Sequence, residues 1–104
     1  MSATVGPSTS YDALQPPPAA VQQGGMEILR SGIIAGGHHV MLRPVFDDTR
    51  LWGRVLADIA RQLAQAYEHQ GRGSAAEVIA NIRLGFDTDM NQPPDVHSEI
   101  APQP

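Results

Sequence analysis

Residues 47–71 repeat their apolar side chains with the period of an α-helix more regularly than any other stretch of the chain. Residues three and four positions apart share one side of such a helix. The apolar side comprises Trp52, Val55, Leu56, Ile59, Leu63, Ala66 and Tyr67, and polar residues form the other side. The pattern predicts a long amphipathic helix that buries its apolar side. Asp47 or Asp48 would accept hydrogen bonds from its first free N–H groups.

A second helix is predicted by the motif Ser74-Ala75-Ala76-Glu77. This is a capping box, in which the serine and the glutamate each accept from a free N–H group at the helix start. The helix should run from Ala75 to about Phe86, antiparallel to the first because the link at 71–73 is short. Leu84 falls off its apolar stripe. An isolated exposed leucine is ordinary, so Leu84 marks either plain surface or a second contact position.

Two strands are predicted before the helices, at residues 26–34 and 39–43. Both are rich in aliphatic residues, and residues 35–38 between them contain the glycines that a hairpin turn needs. Adjacent aliphatic pairs flank Gly32, which suggests either a β-bulge there or burial on both faces. We expect Val40 and Leu42 to face the core, and Met41 and Arg43 to face outward or toward a partner.

The order of these elements predicts an α+β fold in which a β-hairpin packs on two antiparallel helices, β-β-α-α. Eight of the nine prolines lie before Met26 or after Met90. The prediction is therefore a disordered Pro-rich leader at 1–25, one domain at 26–90 and a disordered Pro-rich tail at 91–104.

Such a domain is small for independent stability, because a core of this size supplies only ~3–5 kcal/mol. The chain has no cysteine, so neither a disulfide nor a thiolate metal site can reinforce it. An isolated two-stranded hairpin is marginally stable, and its edges invite pairing. The sequence therefore predicts a homodimer, formed through a shared sheet or through the exposed sides of the helices.

Composition excludes several classes of function. The chain has no lysine, which excludes a G-x-x-x-x-G-K phosphate loop and a Schiff-base lysine, and the lack of cysteine excludes a thiol nucleophile. The formal net charge is −4, whereas nucleic-acid-binding proteins carry a basic patch, so a nucleic-acid binder is not expected. No apolar run is long enough to span a membrane, and the N-terminus does not read as a secretory signal. A soluble cytoplasmic protein is expected.

No catalytic, cofactor or metal site is predicted from the residue patterns. His38 and His39 are adjacent in a strand, so their side chains point to opposite faces and do not readily share an ion. The glycines at 32, 36 and 37 are better explained by a hairpin turn than by a phosphate cradle. Arg50, Arg54 and Arg61 share a helix face with acidic residues, which is typical of a solvated surface.

Two classes of function stay open at this point. The first is a small non-enzymatic module that acts through self-association or binding of a protein partner. The alternative is a small-molecule-binding protein or minor enzyme with a pocket at the dimer interface. That pocket would be lined by Trp52, Tyr67, His39 and Arg43, with Met41 and Leu84 as further contact positions.

Several residues in order along the chain resemble a known family. They are Glu27-Ile28-Leu29-Arg30, Leu42-Arg43, Trp52-Gly53, Leu56-Ala57-Asp58-Ile59-Ala60-Arg61, Ala66-Tyr67, Ile82 and Phe86. The chain is similar over roughly Met26 to Pro94 to small bacterial proteins of about a hundred residues that are classed as a domain of unknown function. The resemblance implies a small α+β domain of bacterial origin, and it transfers no catalytic residues to this chain.

Overall fold

The computed structural model describes residues 10–93. In chain order, the elements are α1 (Pro18–Gln23), β1 (Leu29–Ile34), β2 (Gly37–Leu42), α2 (Arg50–His69) and α3 (Ala75–Met90). The predicted α+β class and the β-β-α-α order from residue 29 onward are confirmed. None of the helices in this part of the chain is both long and apolar enough to cross a membrane.

Helix α1 lies in the leader that was predicted to be disordered. Its six residues begin with Pro18, which suits a helix start because proline lacks only an N–H group that would be unpaired there. None of its residues is buried. Residues 1–9 of the leader and 94–104 of the tail lie outside the described residues, so the predicted disorder of those parts stays a prediction.

Strands β1 and β2 form an antiparallel hairpin with an unbroken register, from Leu29 opposite Leu42 to Ile34 opposite Gly37. Ala35 and Gly36 form the two-residue turn with φ of 51° and 81°. Positive φ at both central residues is the geometry whose twist matches the hairpin. The predicted turn is thus confirmed, although it is shorter than expected.

The suggested β-bulge at Gly32 is wrong, since Gly32 pairs with His39 inside the continuous ladder. Glycine is required at position 32 for a different reason, which is the close approach of Tyr11. A Cβ atom at this position would lie 2.7 Å from the hydroxyl oxygen of Tyr11, so the Tyr11 side chain occupies the space that any larger residue would need.

Helix α2 begins at Arg50, after Thr49, whose side chain makes no capping bond. The Asp48 carboxylate takes this role, because its Oδ1 accepts from the Arg50 backbone N–H at 3.0 Å. It also accepts from the Arg50 guanidinium at 3.1 and 3.0 Å. These bonds, the side-chain ones first, hold the pKa of Asp48 below its usual value. The predicted acceptor role of Asp48 is confirmed.

Helix α3 begins with the predicted capping box. The Glu77 N–H donates to Ser74 Oγ at 3.1 Å, and the Ser74 N–H donates to Glu77 Oε1 at 3.3 Å. Glu68 of α2 adds an acceptor for the Ala75 N–H at 3.0 Å and so joins the end of α2 to the start of α3. The helix continues one turn beyond the predicted end, to Met90, because no glycine or proline follows Gly85 until Pro93.

Helices α2 and α3 pack against each other, and the most buried side of α2 is its alanine side. Ala64 is 1% exposed, and it is the only hydrophobic residue among residues 10–93 that is fully buried. Ala57 and Ala60 are half-buried on the same side of the helix. Small side chains let two helices approach closely. The predicted burial of the larger aliphatic side chains is therefore wrong within one chain, where Leu56, Ile59 and Leu63 are 48%, 37% and 44% exposed.

The helix pair leaves the hairpin largely uncovered, since Val40 and Leu42, which were expected to face the core, are 39% and 57% exposed. No Cα atom of β1 or β2 lies within 8 Å of a Cα atom of α2 or α3. The predicted packing of the hairpin on the helices is thus not made within one chain. The seven residues 43–49 separate the two units, and Pro44 near their start ends the strand.

Candidate interaction surfaces

One exposed apolar surface of the helix pair is a row of aliphatic side chains on α2, which we call the α2 stripe: Leu56, Ile59 and Leu63. Their spacing of three and four residues places them on one side of the helix. Gln62 and Asp58 border this row and are joined by a 2.8 Å hydrogen bond. The three residues carry no charge, and each keeps more than a third of its side-chain surface in solvent.

A second uncharged surface lies on the hairpin. In an antiparallel pair, residues opposite each other point to the same face, and the faces alternate along the strand. One face therefore carries Leu29, Ser31, Ile33, His38, Val40 and Leu42. We call its aliphatic members Ile33, Val40 and Leu42 the hairpin face, and they are 43%, 39% and 57% exposed. Ser31 and His38 hydrogen-bond to each other on the same face.

The opposite face of the hairpin is partly covered by the leader. Tyr11 lies over Gly32, and a groove of about 830 Å³ runs between residues 10–17 and β1. Arg30 at this groove donates to the Glu27 carboxylate at 3.1 and 3.0 Å, which raises the pKa of Arg30. The leader therefore leaves the hairpin face as the more open apolar side of the sheet.

Trp52 and Tyr67, two of the predicted pocket residues, lie at opposite ends of α2. Fifteen residues separate them, which is about 22 Å along a helix. Trp52 is half-buried and packs edge-on against Phe46, with ring centroids 5.2 Å apart and planes at 73°. Within one chain the two aromatic side chains therefore cannot line a common pocket.

Tyr67 lies instead in a shallow depression between the two helices. The Arg72 guanidinium lies 4.3 Å from the centre of the Tyr67 ring, a cation–π arrangement. The depression has a volume of about 360 Å³ and is lined by Leu63, Tyr67, Arg72, Val78, Asn81 and Ile82.

The other four predicted residues are on the surface. His39 and Met41 point to the leader side of the hairpin, and Met41 is 75% exposed. Arg43 follows β2, where its N–H donates to the Ile28 carbonyl at 2.9 Å. Leu84 on α3 is 67% exposed. The structure therefore brings Met41 and Arg43 together at the end of the hairpin, but it keeps them apart from Leu84 and the aromatic residues.

Sequence reasoning missed Phe46, Arg72 and the alanine side of α2. The alanines could have been found from their spacing, because Ala57, Ala60 and Ala64 share a helix side at small-residue positions. Gly32 inside a strand was a signal for close approach of another group, which is Tyr11. Among residues 10–93, no group of three or more histidine, aspartate or glutamate side chains could hold a metal ion.

Comparisons with known proteins agree with this architecture. A family model described as a domain of unknown function, DUF5076, matches residues 13–94. A solved structure from the photosynthetic bacterium Rhodopseudomonas palustrus CGA009, provisionally described as a pyruvate dehydrogenase, is similar in fold, with a TM-score of 0.70 and 26% sequence identity. The similarity covers 90% of this chain and 97% of that one. No curated protein matches the chain.

Proposed function

The chain belongs to the DUF5076 family, a domain of unknown function. We propose that it is a small non-enzymatic module that acts through self-association. The observation that carries this proposal is the α2 stripe, in which Leu56, Ile59 and Leu63 stay 37–48% exposed while the alanine side of the same helix is covered. A cluster of exposed aliphatic residues bordered by polar ones is typical of a protein–protein interface.

The sparse core supports the same proposal. Ala64 is the buried hydrophobic residue of the described chain, and an alanine contributes little burial energy compared with a leucine or isoleucine. The free energy that would normally come from a packed core must therefore come from another surface. Covering the α2 stripe and the hairpin face in a homodimer would supply it, and a protein partner is the second source.

The proposed setting is the cytoplasm of a bacterium. The similar structure comes from a bacterium, and the sequence resembles small bacterial proteins. The net charge of −4, with no lysine, argues against a nucleic-acid partner.

A second candidate function is binding of a small molecule, or a minor enzyme activity, at a pocket that two chains complete. The depression between the helices favours it, since Tyr67 and Arg72 offer an aromatic face and a cation beside aliphatic side chains. The provisional description of the similar protein as a pyruvate dehydrogenase also points to a small carboxylate ligand. Both observations are weaker than the exposed stripe, so self-association is the preferred function.

The deciding experiment is sedimentation equilibrium of the full chain over a wide range of concentration, combined with native mass spectrometry. Self-association predicts a species of twice the 11.1 kDa chain mass with no added ligand mass. Additional mass that survives gentle activation would favour the small-molecule function. A chain that stays monomeric at the highest concentration reached would overturn the preferred proposal.

A further inference from the structure

We propose that the hairpin face of one chain packs on the α2 stripe of a second copy, and that the second copy does the same in return. The two chains would thus exchange hairpins about a two-fold axis. This inference rests on the proposed self-association. It goes further by naming both surfaces and by placing residues of each chain on the other.

The first argument is that each surface lacks a cover within its own chain. A sheet face and an amphipathic helix ordinarily form two layers around a shared core. Here both layers exist, but no strand Cα atom lies within 8 Å of an α2 or α3 Cα atom. The hairpin face and the α2 stripe are therefore the two halves of a core that one chain does not close.

The connection between the hairpin and α2, residues 43–49, bears on why the hairpin face and the α2 stripe are separate within one chain. Residues 43–49 leave the hairpin after Leu42, and Phe46 in this connection is held against Trp52 at the start of α2. The Asp48–Arg50 bonds fix the last part of the connection at the helix end. These contacts hold the end of the connection at the start of α2. If the connection were released and fully extended, the eight steps from Leu42 to Arg50 would span at most roughly 26 Å at ~3.3 Å per residue, enough to reach a neighbouring copy.

The two surfaces match in chemistry and in length. The aliphatic members of both carry no charge, so neither has to be neutralised when they are covered. A six-residue strand is about 20 Å long at ~3.3 Å per residue. The stripe together with Trp52 and Tyr67 at its ends extends about 22 Å along α2 at 1.5 Å per residue. The hairpin can therefore lie along most of the helix.

Contact area favours a second copy over an unrelated partner. A two-stranded face of roughly 20 by 10 Å, covered once, removes roughly 400 Å² counting both sides, which is in the range of weak packing contacts. Two-fold symmetry doubles every contact, and the place where the two α2 helices approach each other adds to it. The reciprocal arrangement raises the covered area to roughly 800 Å² before any contact between the two α2 helices, compared with the ~1,200 Å² of a stable interface.

Cysteine crosslinking tests this arrangement directly, because the natural chain contains no cysteine. Four variants of the full chain would each carry one cysteine: Val40→Cys or Leu42→Cys on the hairpin face, and Ile59→Cys or Leu63→Cys on the α2 stripe. Hairpin and helix variants are refolded together in pairs and treated with a short bis-maleimide. The matched control replaces Ile59→Cys with Gln65→Cys, which places the cysteine on the polar side of the same helix.

Exchange predicts covalent dimers when a hairpin variant is mixed with a stripe variant, and at least tenfold fewer with the Gln65→Cys control. Crosslinks only between identical stripe variants would show that α2 meets α2 instead, which overturns the exchange but keeps self-association. Sedimentation as a dimer without any hairpin-to-stripe crosslink would also overturn it. A chain with both Val40→Cys and Ile59→Cys that crosslinks only within itself would place the hairpin on its own helix and reject the proposal.

Discussion

The Tyr11 hydroxyl lies 2.7 Å from the position that a Cβ atom on Gly32 would occupy. The Tyr11 ring can therefore lie against β1 only because Gly32 has no side chain. Any residue other than glycine would push the tyrosine ring away. The φ of Gly32 is not in the left-handed region, so an alanine there would fit the strand itself. This separates the effect on the leader from the effect on the hairpin.

We therefore expect Gly32→Ala to release the leader while the hairpin stays intact. Nuclear Overhauser contacts between the Tyr11 ring and residue 32 should disappear, and the β1–β2 cross-strand contacts should remain. Tyr11→Ala is the matched variant, since it removes the ring and leaves Gly32 in place. If the contacts of the Tyr11 ring persisted in Gly32→Ala, the seating of the leader on Gly32 would be wrong.

Phe46→Ala should destabilise the start of α2 by at least about 0.5–1.5 kcal/mol, which is what an edge-on aromatic pair adds beyond the surface that it buries. Trp52 is the only tryptophan, so all indole fluorescence comes from this side chain, and the emission should shift to longer wavelength as the indole gains water. Phe46→Leu keeps apolar bulk without the ring and should shift the emission less. Equal spectra for the wild type and Phe46→Ala would argue against the contact.

Ser74→Ala removes the capping acceptor for the Glu77 N–H and should lower the free energy of unfolding by about 1 kcal/mol. Denaturant unfolding followed by circular dichroism measures the loss. Ser74→Asn keeps an uncharged acceptor at the helix start and serves as the control, with stability close to that of the wild type. A loss of equal size in both variants would mean that the hydroxyl acts in some way other than as a cap.

Glu77 gives the stability of α3 a dependence on acid pH. Hydrogen bonds from the Ser74 backbone N–H, and then from its hydroxyl, lower the pKa of Glu77 from its ordinary value of 4.5. Because the pKa in the folded state is below that of the unfolded state, this stabilisation is complete above about pH 4.5 and is lost as the pH falls through the lowered pKa.

Thermal unfolding between pH 7 and pH 3 should therefore show the melting temperature falling in the acid part of the range. In Glu77→Gln, which cannot ionise, that fall should be smaller. Asp48 also has a lowered pKa and contributes in the same direction, so the comparison of the two chains isolates the share of Glu77. An identical fall in both chains would remove Glu77 from the explanation.

The α2 stripe predicts a specific effect on association. Ile59→Asp places a charge among Leu56 and Leu63, and we expect it to weaken dimerisation by tenfold or more, since burial of one isoleucine is worth about 1.5–3 kcal/mol. Gln65→Asp introduces the same charge on the polar side and should leave the dissociation constant within about twofold. Sedimentation equilibrium of both variants gives the comparison. Equal weakening by the two would point to net charge instead of the stripe.

The sequence predicted the elements well because their signals are local. The capping box at Ser74 and Glu77 and the positive-φ turn at Gly36 each depend on residues a few positions apart, and both are present. The helix period also placed α2 correctly within three residues at its start and two at its end. Such features depend on backbone hydrogen bonds that neighbouring residues satisfy.

Which side of α2 would be buried could not be decided in the same way. The larger side chains predicted burial for Leu56, Ile59 and Leu63, but packing distance between helices favours the smaller Ala57, Ala60 and Ala64 against α3. Likewise, the position of the hairpin depends on contacts between distant residues, which have no periodic signal. The predicted site residues between His39 and Leu84 lie on separate surfaces for the same reason, since bringing them together depends on contacts between distant parts of the chain.

The separation of the hairpin from the helix pair also bears on how the chain folds. Each unit is formed by two consecutive elements that contact each other and not the other unit, so each can form by itself. In an isolated chain nothing obliges the two to melt together, and heating would give two overlapping transitions instead of one. Cooperativity, which most small domains acquire from their own core, would in this protein be a property of the assembly, and it would increase with protein concentration.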